Sequence, residues 1–204
     1  RDLHYPLRRQ RQMCIRDSPK CMLVGLTGRN ASGKTTVVNW FSSKGIRTTS
    51  CSDSIRNWLS EQGIPESRDS LIEGGRELRR REGAGVLAEM LLADLDGEDA
   101  VIDSIRTPGE VEALRQRSDF ILIEIRAGVD SRWSRSQSRG RTGDPEKKET
   151  FLAQEKSEEV AKDDAGQALN ATAEMADMII VNDGELDDLY SDLDDLWLRI
   201  TKPV

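Results

Sequence analysis

An apolar run leading into a glycine-rich octapeptide is the most restrictive pattern in this 204-residue chain. Residues 21–27 read C-M-L-V-G-L-T, which is typical of a strand buried on both faces. The next eight residues, 28–35, read G-R-N-A-S-G-K-T and satisfy G-x-x-x-x-G-K-[ST] at every specified position. With a strand before it and a helix expected after it, this pattern predicts a phosphate-binding loop. An ordinary glycine-rich turn between strand and helix is the alternative.

Each part of the octapeptide has a physical use around the phosphates of a nucleotide. Gly28 and Gly33 let the backbone turn sharply and approach a phosphate closely. Successive backbone N–H groups and the helix N-terminus add partial positive charge. Lys34 is expected to reach the β- and γ-phosphates as a catalytic cation, and Thr35 to bind Mg²⁺. The residues expected to bind ATP are Gly28, Arg29, Asn30, Ala31, Ser32, Gly33, Lys34, Thr35 and Thr36.

Hydrophobic periodicity predicts that strands and helices alternate along the rest of the chain. Short strands are expected at 46–50, 100–103, 120–125 and 178–181, separated by segments with apolar residues at helical spacing. This alternation implies right-handed βαβ crossovers and a mainly parallel sheet. The predicted fold is therefore α/β, a three-layer P-loop NTPase fold with a five-stranded parallel sheet.

Charge and composition exclude several classes of function. The net charge is −7, and residues 1–20 hold six basic and two acidic residues, so the remaining chain carries −11. Because so acidic a body repels a phosphate backbone, nucleic acid is a disfavoured partner. The single histidine, His4, leaves no histidine triad or histidine zinc site for the folded part. No apolar stretch approaches the roughly 18 residues of a membrane span, so no membrane partner is expected.

The three cysteines and the N-terminal segment complete this interpretation. Cys14, Cys21 and Cys51 form no C-x-x-C pair, which favours neither a zinc site nor a disulfide framework. We expect reduced thiols in a cytoplasmic protein. Residues 1–20 lack the long apolar region of a secretory signal, and we expect them to be a disordered tail or a non-native segment. Residues 21–204 are expected to form the folded domain.

The segment S-C-S-D-S-I-R, residues 50–56, follows the second predicted strand. It resembles the S-x-G-D-x-x-R segment of nucleoside monophosphate kinases, with Ser52 at the usual glycine. The resemblance implies that Arg56 grips the phosphate of the phosphoryl acceptor. Dephospho-CoA kinases place an aspartate at a similar point, near the acceptor hydroxyl, and this implies a catalytic and acceptor-binding role for Asp53. A compatible alternative makes Asp53 the N-cap of the following helix.

The segment V-I-D-S-I-R-T, residues 101–107, resembles the strand-terminal D-G-x-x-R pattern of the same superfamily. The resemblance implies that Asp103 lies near Mg²⁺ without binding it directly. It also implies that Arg106 is a second clamp on the acceptor phosphate. The alternative is a surface turn with a solvated arginine.

Four arginines, Arg132, Arg135, Arg139 and Arg141, resemble the lid arginines of such kinases. Arg139 lies in a loop with nearby glycines, so it is expected to close on the transferring phosphoryl group and to stabilise its charge. It is therefore a predicted catalytic residue. For Arg132 and Arg135, charge on a solvated helix face is the alternative.

The segment A-D-M-I-I-V-N-D-G, residues 176–184, resembles the A-D-x-x-I-x-N-D-G ending shared by dephospho-CoA kinases and their relatives, which lies beside the adenine. From 22 to 196 the motifs resemble, in order, an archaeal-type family of small P-loop nucleotide kinases related to dephospho-CoA kinases and adenylate kinases. This implies transfer of the γ-phosphoryl group of Mg-ATP to a small nucleotide-like acceptor. It also implies acceptor-binding helices over about 53–96 and a lid over about 132–165.

Other functions remain open on these residues. A dephospho-CoA kinase proper would phosphorylate a ribose hydroxyl, and Asp53→Asn would then abolish turnover. A regulatory P-loop NTPase would couple hydrolysis to a partner; a kinase of nucleic acids would need a basic groove, which the acidic body disfavours. The residues leave open the identity of the acceptor, ATP against GTP, and the oligomeric state.

Overall fold

A computed structural model describes residues 22–140, 144–160 and 166–201. Its five strands form one parallel sheet in the order β2-β3-β1-β4-β5, which confirms the predicted three-layer α/β fold. The strands are β1 (Leu23–Thr27), β2 (Arg47–Ser50), β3 (Ala100–Asp103), β4 (Phe120–Arg126) and β5 (Met178–Val181).

Nine helices lie within the described residues and cover both faces of this sheet. They are α1 (Lys34–Ser43), α2 (Cys51–Glu61), α3 (Arg68–Glu82), α4 (Val86–Leu95), α5 (Pro108–Leu114), α6 (Val129–Arg139), α7 (Lys148–Glu159), α8 (Leu169–Glu174) and α9 (Leu186–Thr201). In these described segments, no helix combines the length and apolarity that crossing a bilayer requires.

Two hydrophobic clusters hold the helices to the sheet. On one face, Val24 and Leu26 of β1 pack with Phe41 of α1 and Leu193 of α9. On the other, Leu23 belongs to a larger cluster with residues of α2 to α5. Consecutive strand residues therefore alternate between the two clusters, as expected for a strand that is buried on both faces.

The strand order determines where a ligand can bind. β1 is central and pairs with β3 on one side and β4 on the other. From β1 the chain runs to β2 and β3 on one side, and then to β4 and β5 on the other. Diverging connections at the carboxyl ends of neighbouring parallel strands leave a crevice, which is where open α/β sheets bind ligands. Ser50 and Asp103, the last residues of β2 and β3, are paired in register at this edge.

Helix α2 begins two residues earlier than expected. Ser50 ends β2 in an extended conformation, and its Oγ accepts the Ser52 N–H at 3.1 Å, so Ser50 is the N-cap. Asp53 lies in the first turn instead, and the alternative that made it the N-cap is wrong. A serine already extended at the strand end satisfies the first free N–H groups before the chain reaches Asp53.

Several expectations fall on parts of the chain that the structure does not describe. They concern residues 1–20 with His4 and Cys14, then Cys21, Arg141 and residues 161–165 of the predicted lid. Cys51, by contrast, is buried and has no disulfide partner among the described residues.

Two leucines of α9 provide a matched test of this packing. Leu193 is fully buried, whereas Leu198 is 50% exposed. Leu193→Ala should lower the free energy of unfolding by about 2–4 kcal/mol, because it leaves a cavity in the core. Leu198→Ala should change it by less than about 0.5 kcal/mol. Urea unfolding of both variants measures the difference, and equal losses would contradict the assigned face of α9.

Candidate active site

A cavity of about 650 Å³ opens at the carboxyl ends of β1, β2 and β3. Its lining joins the octapeptide to α2, α3 and the turn after β3, and includes Arg56, Asp103, Arg106 and Arg139. Of the residues predicted for the site, only Arg29 and Asp53 are absent from this lining. The basic residues that line it are Lys34, Arg56, Arg68, Arg79, Arg106, Arg135 and Arg139, against the acidic Asp103 and Glu158.

The octapeptide turns as a phosphate-binding loop requires. Gly28 and Gly33 have φ of +135° and +107°, and Ala31 has φ of +58°. A Cβ atom on Gly33 would lie 2.1 Å from Nδ2 of Asn182, so only glycine fits there. The same Asn182 amide donates to the Ser32 carbonyl at 2.8 Å. The late N-D-G segment therefore braces the loop from behind.

Lys34 is held over this loop by the loop's own backbone. Its Nζ donates to the carbonyls of Gly28 and Arg29 at 2.6 and 2.9 Å. Burial lowers the pKa of Lys34 from 10.5 to about 8; the nearby Asp103 opposes this shift and the cation Arg106 adds to it. An anion that accepts from this ammonium group would restore its ordinary pKa.

Thr35, the expected Mg²⁺ ligand, and Asp103, expected to lie near the ion, both line the cavity. Mg²⁺ beside a nucleotide takes few protein oxygens, since phosphates and waters complete its octahedron. One hydroxyl ligand with a carboxylate near it fits that pattern, and the described residues hold no cluster of three or more metal-binding side chains. The Asp103 carboxylate also accepts the Ser104 N–H at 2.6 Å, in a turn where Ser104 has φ of +63°.

Two buried polar atoms at the phosphate end lack a hydrogen-bond partner within the described residues. They are Oγ of Ser32 and Nη1 of Arg135. Nη2 of Arg135 lies 3.5 Å from Oδ1 of Asn182, the edge of hydrogen-bonding range. Such atoms are costly to bury unless something satisfies them, so they fit a phosphate ligand. Arg135 and Arg139 are four residues apart on α6, and both line the cavity.

Arg106 and Arg139 approach the cavity from different elements. Nη1 of Arg106 donates to Oε1 of Gln167 at 3.1 Å. Arg139 donates to both carboxylate oxygens of Asp144, at 2.7 and 2.8 Å, and to Oδ1 of Asn30 at 2.9 Å. Arg139 at the end of α6 is thus joined directly to the phosphate-binding loop.

Arg56 lines the cavity, and Asp53 is its neighbour on α2 outside the lining. The Arg56 guanidinium donates to Asp53 at 2.7 Å and to Glu66 at 2.9 Å, and 42% of its side chain is exposed. These hydrogen bonds raise the pKa of Arg56, that to Glu66 most strongly. The structure therefore brings Arg56 to the cavity but leaves the Asp53 carboxylate outside its lining.

Arg132 has a structural position rather than a solvated one. It is 4% exposed, pairs with Glu155 and donates from Nε to the Ala127 carbonyl at 2.9 Å. Burial, and next the cation Arg29, lower the pKa of Arg132 to about 10. The alternative of a solvated helix face is wrong for Arg132, because α7 packs over this side of α6.

Asp183 fixes the start of α6. Its Oδ1 accepts the Gly128 N–H at 2.7 Å, and this bond and one from the Ser131 side chain lower the pKa of Asp183. Together with its neighbour Asn182, it connects the loop after β5 to the phosphate-binding loop and to α6. The Asn182 and Asp183 side chains thus support the loop and α6, a role that the resemblance of this segment to a kinase motif did not predict.

A buried ion pair that includes Arg79 of the cavity lining was not predicted. Arg79 of α3 donates from Nη2 to Glu110 of α5 at 2.8 Å, and both side chains are almost fully buried. The other carboxylate oxygen of Glu110 accepts the backbone N–H groups of Arg106 and Thr107, at 2.8 and 3.2 Å. The T-P-G-E sequence predicts only a capped helix start here, because the arginine partner is 31 residues away.

The acidic face of α7 was also missed. Glu155, Glu158 and Glu159, at i, i+3 and i+4, each reach an arginine near the cavity. Glu159 accepts from Arg29 at 2.6 Å, which draws Arg29 away from the main cavity. The i, i+3, i+4 spacing was the available signal for a shared face, but it did not identify the partners.

The sheet order and this loop define a P-loop NTPase fold, and solved structures agree. The protein TT1252 from Thermus thermophilus superposes with a TM-score of 0.62 and 18% identity, covering 89% of this chain and 99% of that one. A shikimate kinase from Acinetobacter baumannii gives a TM-score of 0.54 and 19% identity, covering 89% and 95%. At such identities these likenesses establish the fold, so the expected kinase resemblance is confirmed at that level.

Sequence comparison identifies the family. A UPF0200 protein of Methanosarcina mazei is 31% identical over 127 residues, which cover 60% of this chain and 68% of that protein. A UPF0200 protein of Pyrococcus abyssi is 28% identical over 187 residues, covering 88% and 97%. The chain belongs to the UPF0200 family. No family model matches it.

The lowered pKa of Lys34 predicts a pH dependence of stability. Between pH 8 and 10.5 the folded protein has released a proton that the unfolded chain still holds. Raising the pH therefore favours the folded state in this window, and the gain is lost as the pH falls towards 8. The urea midpoint of the wild type, measured relative to Lys34→Met, should rise over this window. A constant difference would contradict the lowered pKa.

Ser104 predicts a stabilising substitution. It occupies the left-handed region where the related D-G-x-x-R pattern has glycine, and strain there costs about 1–3 kcal/mol. Ser104→Gly should raise the free energy of unfolding by up to about 1 kcal/mol, because the greater freedom of glycine in the unfolded chain offsets part of the gain. Thermal unfolding measures this change in stability. Ser134→Gly, on the exposed surface of α6, is the control and should destabilise the protein, because glycine is unfavourable within a helix. A loss of stability at Ser104 would contradict the assigned backbone conformation.

Proposed function

We propose that this protein is an ATP-dependent phosphotransferase that moves the γ-phosphoryl group of Mg-ATP to a small nucleotide-like acceptor. The observation that carries the proposal is the charge of the cavity. Seven basic side chains line it against two acidic ones, in a chain whose net charge is −7. A cavity that concentrates positive charge in an acidic protein is suited to small polyanions rather than to long nucleic acids.

The phosphate-binding loop provides the donor half of this site. Its N–H groups and Lys34 would hold the β- and γ-phosphates, as the orphaned polar atoms of Ser32 and Arg135 support. Thr35 would bind Mg²⁺, with Asp103 near the ion, and Mg²⁺ supplies charge stabilisation to the phosphates when bound. Arg139, which donates to Asn30 of the loop, would stabilise negative charge on the transferring group.

The other half of the cavity would hold the acceptor. Arg56 and Arg106 enter it from α2 and from the turn after β3, and both can pair with an acceptor phosphate. A monophosphate acceptor needs no general base, because its oxygens are already ionised at neutral pH. The position of Asp53 outside the lining favours this acceptor class over the ribose hydroxyl of a dephospho-CoA kinase. The shikimate kinase fold likeness supports the kinase class but not an acceptor.

An ATP-to-ADP coupled assay across AMP, CMP, UMP, dCMP, GMP and dephospho-CoA tests this proposal, with Lys34→Ala as the blank. We expect one acceptor to stimulate ADP formation, and Lys34→Ala to lower that rate by about 100-fold or more, because it removes a cation from the transition state. Asp53→Asn should retain most of the activity if the acceptor is a monophosphate.

The same assay separates the rival functions. Turnover only with dephospho-CoA, abolished by Asp53→Asn, would establish the hydroxyl-phosphorylating alternative. ATP hydrolysis at full rate without any acceptor would contradict the kinase proposal and favour a regulatory P-loop NTPase. Repeating the panel with GTP determines which nucleotide is the donor.

A further inference from the structure

Glu158 of α7 lies inside the acceptor half of the cavity, between two arginines. Its Oε1 lies 3.2 Å from Nη2 of Arg68, and its Oε2 lies 3.7 Å from Nη1 of Arg106. The Glu158 side chain is 14% exposed, and all three residues line the cavity. One carboxylate thus bridges two guanidinium groups that come from α3 and from the turn after β3.

The rest of α7 fixes this arrangement in place. Glu155 pairs with the buried Arg132, and Phe151 is 1% exposed and lies 5.8 Å from the same guanidinium group. Glu159, next to Glu158, pairs with Arg29 of the phosphate-binding loop. The helix is therefore anchored on both sides of Glu158, and its carboxylate is directed at the Arg68–Arg106 pair rather than at solvent.

The surroundings of the pair suit a phosphorylated organic molecule. Leu71, Ile72 and Leu87 line the same cavity as Arg68, and no aromatic side chain of the described residues belongs to the lining. Aliphatic side chains can pack against the carbon skeleton of a ligand whose anionic group is held by arginines. The two arginines share one carboxylate, so a net positive charge remains between them.

We propose that Arg68 and Arg106 form the subsite for the acceptor's phosphate, and that Glu158 occupies this subsite as an internal competitor which the phosphate must displace. The identity of the bound group as the acceptor's phosphate rests on the proposed function. A carboxylate bridging two guanidinium groups shows that the pair can bind an oxyanion, and a phosphate carries more charge for the same donors. Arg56 is secondary, since Asp53 and Glu66 already hold it at the rim.

Internal competition has a measurable consequence. If the subsite accepts phosphate only while Glu158 is displaced, the apparent dissociation constant is the intrinsic one divided by the displaced fraction. Glu158→Gln removes the competing charge while keeping the size of the side chain. Phosphate should then bind more tightly, by about fivefold or more. Arg68→Met or Arg106→Met should weaken phosphate binding by up to about fivefold, the loss of one partly exposed charged contact.

Calorimetric titration with inorganic phosphate tests this proposal without requiring turnover. The phosphate-binding loop is blocked in two separate ways, by saturation with a non-hydrolysable ATP analogue and by Lys34→Ala. In both backgrounds we compare Glu158→Gln, Arg68→Met, Arg106→Met and Arg56→Met. Matched controls are Glu149→Gln, an exposed glutamate on α7, and Arg80→Met, an exposed arginine on α3 that pairs with Glu77.

The expected result is tighter binding for Glu158→Gln, weaker binding for Arg68→Met and Arg106→Met, and no change in the controls. Unchanged or weaker binding in Glu158→Gln would overturn the competitor role. A larger loss in Arg56→Met than in Arg68→Met would overturn the location of the subsite. If the ATP analogue does not bind, the proposed function fails, while the Lys34→Ala titration still determines whether Arg68 and Arg106 bind phosphate.

Discussion

Repulsion among cations in one cavity is the constraint on which the rest of this structure depends. Seven basic side chains converge at the carboxyl ends of three strands, and several are only partly exposed. Like charges this close destabilise a fold unless carboxylates offset them. The chain supplies these carboxylates from other helices and from the segment after α6, with Glu110 beside Arg79, Asp144 against Arg139 and Glu158 against its arginine pair. Ion pairs therefore join α3 to α5 and to α7 at this cavity.

The phosphate-binding loop depends on a second set of long-range contacts. Asn182 follows the last strand, yet it donates to the carbonyl of Ser32 and fills the space beside Gly33. Its neighbour Asp183 caps α6, which carries Arg135 and Arg139. The residues that follow the edge strand β5 thus position both the loop and the start of α6. The parts of the site are therefore joined by direct hydrogen bonds, although they are up to 150 residues apart in sequence.

Much of the fold could be predicted because local patterns specified it. The strands at 100–103 and 178–181 were expected at their observed bounds, since short apolar runs bounded by polar turns are typical of buried strands. The start of α2 was misplaced because Ser50 and Asp53 are both good capping residues, and only the extended end of β2 selects the serine. Arg68 and Glu158 were missed because neither belongs to a motif.

The sequence by itself determined the α/β class and the phosphate-binding loop, because each depends on residues close together in the chain. For the same reason, short motifs identified Arg56, Arg106 and Arg139 as candidate site residues. The tertiary structure alone decided which charges meet. It buried Arg132, left Asp53 outside the cavity and placed Glu158 between Arg68 and Arg106. Helical periodicity predicts which side chains share a face, but the partner of that face is set by how the helices pack, and packing depends on the whole chain.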